Sequence, residues 1–264
     1  MSLSNFHTHT SFCDGKDSIR DIVEKAIELG CDKIGFSGHS YTETGDTEPY
    51  CMTIEETEEY KTEIKKLKAE YQGRIDIYLG IERDYFSADT SKDYDYSIGS
   101  VHYVFKDGVY IPVDESKEIQ IKAVENHYNG DFYGFIEDYY KLVGDIYNKT
   151  KCDIVGHFDL ITKFNENNDL FDTKNERYIT ASENAVKKLL NKGLYIEINY
   201  GAVVKKYRTT PYPEQRILNL LTGNNENLIY SSDCHNKDYL LFGIEKENRF
   251  VPKNHLVNKS ISVE

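Results

Sequence analysis

The stretch NFHTHTSFCDG, residues 5–15, places two histidines two positions apart and an aspartate five positions later. On an extended strand, side chains two residues apart share one face, with their Cα atoms roughly 6.5–7 Å apart. The imidazoles of His7 and His9 can therefore converge on one metal ion. Taken alone, the motif slightly favours a polar strand end with solvated histidines, so the remainder of the chain decides between the two interpretations.

Apolar stretches like the one that leads into this motif recur along the chain, and each is followed by an amphipathic segment. They predict seven strands, at residues 3–9, 33–38, 75–82, 96–102, 152–157, 194–199 and 228–232. Strands that alternate with helices are typical of a wound α/β fold, most simply a closed barrel. The chain contains no linker-like or low-complexity segment, and we therefore expect residues 1–264 to form one domain.

Helical patterns occupy the segments between the predicted strands. Residues 18–29 have an apolar face followed by Gly30, which predicts a helix with a glycine at its C-terminal end. Thr53 with Glu56, and Thr173 with Glu176, have the spacing of capping boxes that begin two further helices. Aromatic and apolar side chains at helical spacing over residues 131–150 predict a helix that packs against the core.

The composition narrows the classes of partner. The net charge is −13 and no basic patch is concentrated in the sequence, which argues against binding to nucleic acid. No apolar run reaches membrane-spanning length and the N-terminus lacks the pattern of a secretion signal, so a membrane is not expected as a partner. Five scattered cysteines fit a reducing cytoplasm. The sequence leaves the oligomeric state open.

Side chains of the metal-ligand type gather at the carboxyl ends of the predicted strands, which in an α/β barrel open onto one face. They are His7, His9, Asp14, His39, Glu82, His102, His157, Asp233 and His235. Imidazole mixed with carboxylate favours zinc, manganese or iron over calcium or magnesium. Nine candidates exceed the needs of one ion, so we expect a cluster of two or three ions bridged by Glu82. Cys234, between Asp233 and His235, points away from them and is expected to be a packed thiol.

The motifs and their order resemble those of the PHP (polymerase and histidinol phosphatase) superfamily. The matching motifs are HTH at 7–9, GHS at 38–40, GIE at 80–82, SVH at 100–102, GHFD at 156–159 and SDCH at 232–235. The stretches SVHYVFKDGVYIPVD (100–114), GHFDLITKF (156–164) and PYPEQ (211–215) are similar to those of the monofunctional histidinol-phosphate phosphatases within it. The resemblance implies a distorted (β/α)7 TIM-like barrel with three divalent metal ions at the C-terminal ends of its strands.

The resemblance also implies how the ligands are divided. The first ion is assigned to His7, His9, Glu82 and Asp233. The second is assigned to Glu82, His102 and His157, and the third to Asp14, His39 and His235. Three dications would supply the positive charge that an acidic protein needs in order to attract a phosphate.

The implied activity is the hydrolysis of L-histidinol phosphate, a small-molecule phosphate monoester of histidine biosynthesis, by attack of a metal hydroxide. Lys163 and Arg208 are expected to stabilise the phosphoryl charge. Asp159 is expected either to donate a proton to the leaving group or to orient a histidine ligand from outside the metal shell. The family pattern places phosphate-binding arginines near the positions that Thr162–Lys163 and Lys205–Lys206 occupy here, and a lysine binds phosphate only as a point charge.

Two other functions stay open at this point. One is a PHP phosphoesterase with a different substrate, such as a protein-tyrosine phosphatase or an exonuclease, although the acidic charge disfavours an exonuclease. The other is an inactive, metal-stabilised binding module, which the complete set of ligands disfavours.

Overall fold

The computed structural model describes residues 3–44, 50–224 and 227–244, and seven parallel strands form its centre. The strands in chain order are β1 (Ser4–Asn5), β2 (Lys33–Phe36), β3 (Asp76–Asp84), β4 (Tyr96–Ser100), β5 (Tyr103–Lys106), β6 (Val109–Pro112), β7 (Ile154–Val155), β8 (Tyr195–Asn199) and β9 (Asn227–Ser231). The large sheet has the order β1-β2-β3-β4-β7-β8-β9. A parallel bridge between Thr8 and Cys234 joins the two edges just beyond β1 and β9. The result is a nearly closed (β/α)7 barrel, which confirms the predicted fold class.

Helices connect the strands of this barrel. They are α1 (Ile19–Glu28), α2 (Ile54–Glu70), α3 (Lys117–Tyr128), α4 (Phe132–Val143), α5 (Ile146–Thr150), α6 (Glu176–Leu189), α7 (Gly201–Val204) and α8 (Gln215–Gly223). Their apolar faces and the strands enclose buried clusters of aliphatic and aromatic side chains. Among the described residues, no helix is both long and apolar enough to cross a bilayer.

Two of the predicted helix starts are confirmed and one is wrong. Ser18 caps α1 by accepting a hydrogen bond from the Asp21 amide, and Thr53 with Glu56 forms the predicted capping box of α2. Helix α6 instead begins after Asn175, whose side chain accepts from the Arg177 amide at 2.9 Å. Asparagine is at least as good an N-cap as threonine. Asn175, two residues after Thr173, therefore caps the helix, and the start predicted from Thr173 and Glu176 is wrong.

The helix predicted over residues 131–150 is divided into α4 and α5. The break falls at Gly144, where a Cβ atom would lie 2.9 Å from Lys188 Cδ and 3.1 Å from Ala185 Cα. The close packing of α6 leaves little room for a side chain at this point, and glycine is a poor residue inside a helix. The predicted core stripe is retained, because Ile136, Tyr140 and Val143 are buried.

The antiparallel hairpin β5–β6 follows β4 directly and was not predicted. The strand that ends at Ser100 was expected to continue to His102. It stops because the His102 amide donates to Asp84 Oδ2 at 2.8 Å, which removes that amide from the sheet and turns the chain into the hairpin. This turn places the His102 side chain at the mouth of the barrel.

Candidate metal centre

All nine predicted ligand residues lie together at the carboxyl-terminal mouth of the barrel. Two glycines allow ligand residues to approach neighbouring parts of the chain this closely. A Cβ at Gly15 would lie 2.5 Å from the His9 carbonyl carbon, so only glycine lets the loop fold back and bring Asp14 to His9. A Cβ at Gly201 would lie 2.5 Å from Asp233 Oδ2, so the start of α7 can approach that carboxylate only without a side chain.

Glu82 occupies the middle of the cluster, and its carboxylate is buried. Its two oxygens face nitrogens of five histidines. The distances are 3.2 Å to His7 Nε2, 3.5 Å to His9 Nε2 and 3.0 Å to His39 Nδ1 from Oε2, and 3.0 Å to His157 Nε2 and 3.6 Å to His102 Nε2 from Oε1. No other carboxylate among the described residues faces as many histidines.

Two aspartates extend the cluster toward solvent. Asp14 lies near three imidazoles, at 3.5 Å from His9 Nδ1, 3.7 Å from His39 Nε2 and 3.1 Å from His235 Nε2. Asp233 Oδ1 lies 3.3 Å from His9 Nε2 and 3.6 Å from His7 Nε2. His9 is therefore shared between the two aspartates and Glu82.

The donor atoms fit divalent cations. Four groups have ligand atoms within 4.8 Å of one another: His9–Asp14–His39–His235, His7–His9–Asp233, His7–Glu82–His157 and His39–Glu82–His102. His7 Nε2, His9 Nε2 and Glu82 Oε2 are buried and have no hydrogen-bond partner. An imidazole lone pair that faces a carboxylate oxygen is repelled unless a cation lies between them, so these atoms are suited to ligate metal.

The groups correspond only partly to the ligand division implied by the family resemblance. Asp14, His39 and His235 lie within one group, and His7, His9 and Asp233 form another. Glu82 is grouped with His157 on one side and with His102 on the other, so the second implied set is spread over two groups.

The electrostatics of the site ionise its central carboxylate but act differently on its histidines. Burial, together with the neighbouring His235 and His39, lowers the pKa of His9 to about 3, so its imidazole is neutral. Burial opposes ionisation of Glu82, but the surrounding histidines outweigh it and hold the pKa of Glu82 well below its usual value. Neutral imidazole and ionised carboxylate are the ligating forms, so His9 and Glu82 already have them. Burial lowers the pKa of His7, but Glu197, Asp233 and Glu82 outweigh burial and raise that pKa well above its usual value, so a metal ion has to displace a proton from His7.

Two buried carboxylates at the site were not predicted as part of it. Asp84 accepts from the His102 amide and lies 3.4 Å from His102 Nδ1. Glu197 lies 2.6 Å from His7 Nδ1. In the sequence, Glu197 is the one charged residue of the largely apolar strand YIEIN. A buried carboxylate is rare unless it has partners, and this was the signal that could have identified Glu197.

A cavity of about 600 Å³ adjoins the metal centre. Lys163, Lys205, Asp114 and Tyr212 contribute to its wall, together with several of the metal-ligand residues. The Lys163 ammonium donates to the Asp114 carbonyl at 2.6 Å and to Asp114 Oδ2 at 3.0 Å. One of its three hydrogen-bond donors therefore remains for a ligand in the cavity.

Asp159 and Arg208 are not among the residues that line this cavity. Asp159 is fully buried and accepts from the Glu214 amide at 2.9 Å. Burial raises its pKa, although Arg208 acts in the opposite direction. Arg208 donates to Thr162 Oγ1 and lies 4.9 Å from the centre of the Tyr212 ring. Both residues contact the elements that shape the cavity rather than the cavity itself.

Comparison with known proteins finds a family match and relatives that align with most of this chain. Residues 5–201 match the PHP domain. The chain is 29% identical over 261 residues to the "Probable histidinol-phosphatase" of Schizosaccharomyces pombe, covering 89% of this chain and 81% of that one. It is 27% identical over 260 residues to the histidinol-phosphatase of Bacillus subtilis, covering 89% and 94%.

A similar solved structure is that of histidinol phosphate phosphatase from Lactococcus lactis, complexed with zinc, L-histidinol and phosphate. It has a TM-score of 0.64 and 19% identity, and the match covers 89% of this chain and 86% of that one. At this identity the likeness shows a shared fold.

Proposed function

We propose that this chain, which belongs to the PHP domain family, hydrolyses L-histidinol phosphate to L-histidinol and phosphate in a metal-dependent reaction. The observation that carries the proposal is the convergence of nine ligand-type side chains around the buried Glu82, beside a cavity of about 600 Å³. The substrate comes from the relatives, which are named histidinol-phosphatases and match 89% of this chain.

The proposed centre holds three divalent ions, of zinc, manganese or iron, on the nine ligand residues. The assignment places Glu82 between two ions, in agreement with its contacts to five histidines. When bound, such ions supply Lewis acidity toward phosphoryl oxygen and activate water as a nucleophile. Their positive charge offsets the acidic character of the chain at the place where the phosphate binds.

Lys163 is proposed to bind the phosphate from outside the metal shell, since it lines the cavity and Asp114 takes only two of its three hydrogen-bond donors. Lys205 lines the same cavity and is a second candidate. Arg208 and Asp159 are proposed as positioning residues, because they contact Thr162, Tyr212 and Glu214 rather than the cavity. The cytoplasmic location stays a prediction.

The proposal is tested by phosphate release from L-histidinol phosphate, phosphotyrosine and a 3′-phosphorylated oligonucleotide, with the zinc-loaded and manganese-loaded protein. We expect kcat/KM to be highest for histidinol phosphate, to be lost after chelation and to be restored by added zinc or manganese. A preference for phosphotyrosine would assign the chain to another phosphoesterase. Absence of turnover in the metal-replete protein would favour the binding module, and full activity without metal would contradict the mechanism.

A further inference from the structure

Glu197 in β8 has an unusual environment for a carboxylate that is only 1% exposed. Its Oε1 lies 2.6 Å from His7 Nδ1 and accepts a hydrogen bond from Ser231 Oγ. Its Oε2 accepts from the His157 amide at 2.9 Å and from Asn199 Nδ2 at 2.8 Å. All four neighbours therefore donate to this carboxylate, and none of them is a lysine or an arginine.

The contacts of Glu197 reach ligands on different strands of the barrel. His7 follows β1 and His157 follows β7, and both face Glu82, at 3.2 Å and 3.0 Å. Asn199 also donates to Asp233 Oδ2 at 3.2 Å. A single buried carboxylate thus contacts His7 and the backbone of His157 directly, and Asp233 through Asn199.

We propose that Glu197 is a positioning residue that holds His7 in the tautomer able to ligate metal. The inference rests on the metal centre of the proposed function. In the neutral imidazole that ligates metal, a proton on Nδ1 is hydrogen-bonded to Glu197, so the lone pair lies on Nε2. That atom is buried, has no hydrogen-bond partner and faces Glu82 and Asp233. A carboxylate behind a histidine ligand fixes its tautomer and orientation and raises its basicity.

The donors around Glu197 make the effect of a Glu197→Gln substitution specific. The His157 amide is a fixed donor, and the Asn199 amide is held in its orientation because Asn199 Oδ1 accepts from the Gly201 amide at 2.8 Å. The glutamine oxygen must therefore replace Oε2, which leaves its NH2 group facing Ser231 and His7. The Ser231 hydroxyl can rotate to accept, but His7 Nδ1 can accept only if its proton moves to Nε2.

Glu197→Gln therefore converts His7 Nε2 from a metal ligand into a donor toward Glu82. The metal-free variant keeps its buried polar groups paired, so the substitution separates metal binding from folding. We expect the affinity for zinc to fall about 10–100-fold, the range for loss of a partner behind a metal ligand. The thermal midpoint of the metal-free protein should stay unchanged.

The experiment titrates zinc into wild type, Glu197→Gln and the control Asp153→Asn, in competition with a chelator of known affinity. Asp153 likewise accepts from a backbone amide, that of Ser97 at 2.8 Å, but it precedes β7 and so lies at the opposite end of the barrel. Long-range ¹H–¹⁵N spectra of the zinc-loaded proteins report which nitrogen of His7 carries the proton, and thermal scans of the metal-free proteins report folding.

The proposal is supported if Glu197→Gln alone weakens zinc binding and moves the His7 proton, with the metal-free midpoint unchanged. Zinc affinity within about twofold of wild type would overturn it, because partners behind metal ligands contribute about 10–100-fold. An equal loss of metal-free stability and affinity would also overturn it, since Glu197 would then be structural. If wild type itself binds no zinc, the proposed function fails, whatever the variant does.

Discussion

Lys163 offers the sharpest test of phosphate recognition, because this chain has lysine where the family pattern has arginine. Asp114 takes two of the three ammonium donors, at 2.6 Å and 3.0 Å, which leaves one for a phosphate oxygen. One charge-assisted hydrogen bond is worth about 1.5–3 kcal/mol. Its loss in Lys163→Met should lower kcat/KM for histidinol phosphate roughly 10–150-fold, with the metal content unchanged.

Methionine preserves the aliphatic stem of Lys163, whose ammonium lies 5.4 Å from the Phe164 ring centre and 5.3 Å from that of Tyr207. The matched control is Lys106→Met. Lys106 pairs with Asp138 at 3.0 Å and lies 4.7 Å from the Tyr128 ring centre. The partners are thus of the same kind, but the Lys106 side chain is 37% exposed against 12% for Lys163, and Lys106 does not line the cavity.

The assay measures initial rates of phosphate release, with metal content determined on the same samples. Lys163→Arg should retain much of the activity, because a guanidinium can keep a contact to Asp114 while it donates to phosphate. A kcat/KM for Lys163→Met within about twofold of wild type would refute the phosphate-binding role, and Lys205 would then be the next candidate. Equal losses in Lys163→Met and Lys106→Met would show a nonspecific effect and contradict the reasoning.

Two further predictions concern other parts of the site. Glu82→Gln removes the charge at the centre of five imidazoles and should abolish most turnover. Cys234→Ala removes a buried thiol that donates to the Asn236 carbonyl and should lower kcat far less. Comparable losses of kcat in the two variants, measured by steady-state kinetics, would contradict the geometry. Burial opposes ionisation of Asp114, but Lys163 outweighs burial and lowers the pKa of Asp114 to about 2, below the unfolded value of about 3.9. The ion pair therefore stabilises the fold fully above about pH 3.9, and this contribution is lost as the pH falls through about 2. The destabilisation caused by Asp114→Asn, measured by urea unfolding, should therefore be constant from about pH 5 to 8, and a destabilisation that grows steadily over that range would count against an ionised pair.

The barrel and the ligand set could be predicted because both depend on local patterns. Apolar strands that alternate with amphipathic helices specify the fold class, and the strand ends of such a fold meet on one face. His7, His39 and Glu82 follow or end predicted strands, so their convergence needed no knowledge of side-chain packing. The thiol of Cys234 is buried as expected, although Asp233 has a left-handed backbone with φ 51° and not the extended one on which that expectation was based.

Features that depend on long-range packing were not accessible from the sequence. Glu197 and His7 are 190 positions apart, and no local pattern pairs them. Asp159 follows a strand as the ligands do, yet its carboxylate turns to the Glu214 amide and does not line the cavity. The division of residues 131–150 depends on how closely α6 approaches Gly144, which is a property of the packed structure.

Whether the nine ligand residues hold three ions is tested directly by an anomalous-difference map from crystals of the zinc-loaded protein, recorded at the zinc absorption edge. We expect three peaks per chain at the mouth of the barrel, about 2.0–2.2 Å from their nitrogen and oxygen ligands, with Glu82 between two of them. Three peaks would place His7, His9, Asp14, His39, Glu82, His102, His157, Asp233 and His235 in one metal centre. A map with no peak there, or with a single peak that leaves Asp14 and His235 without metal, would contradict it.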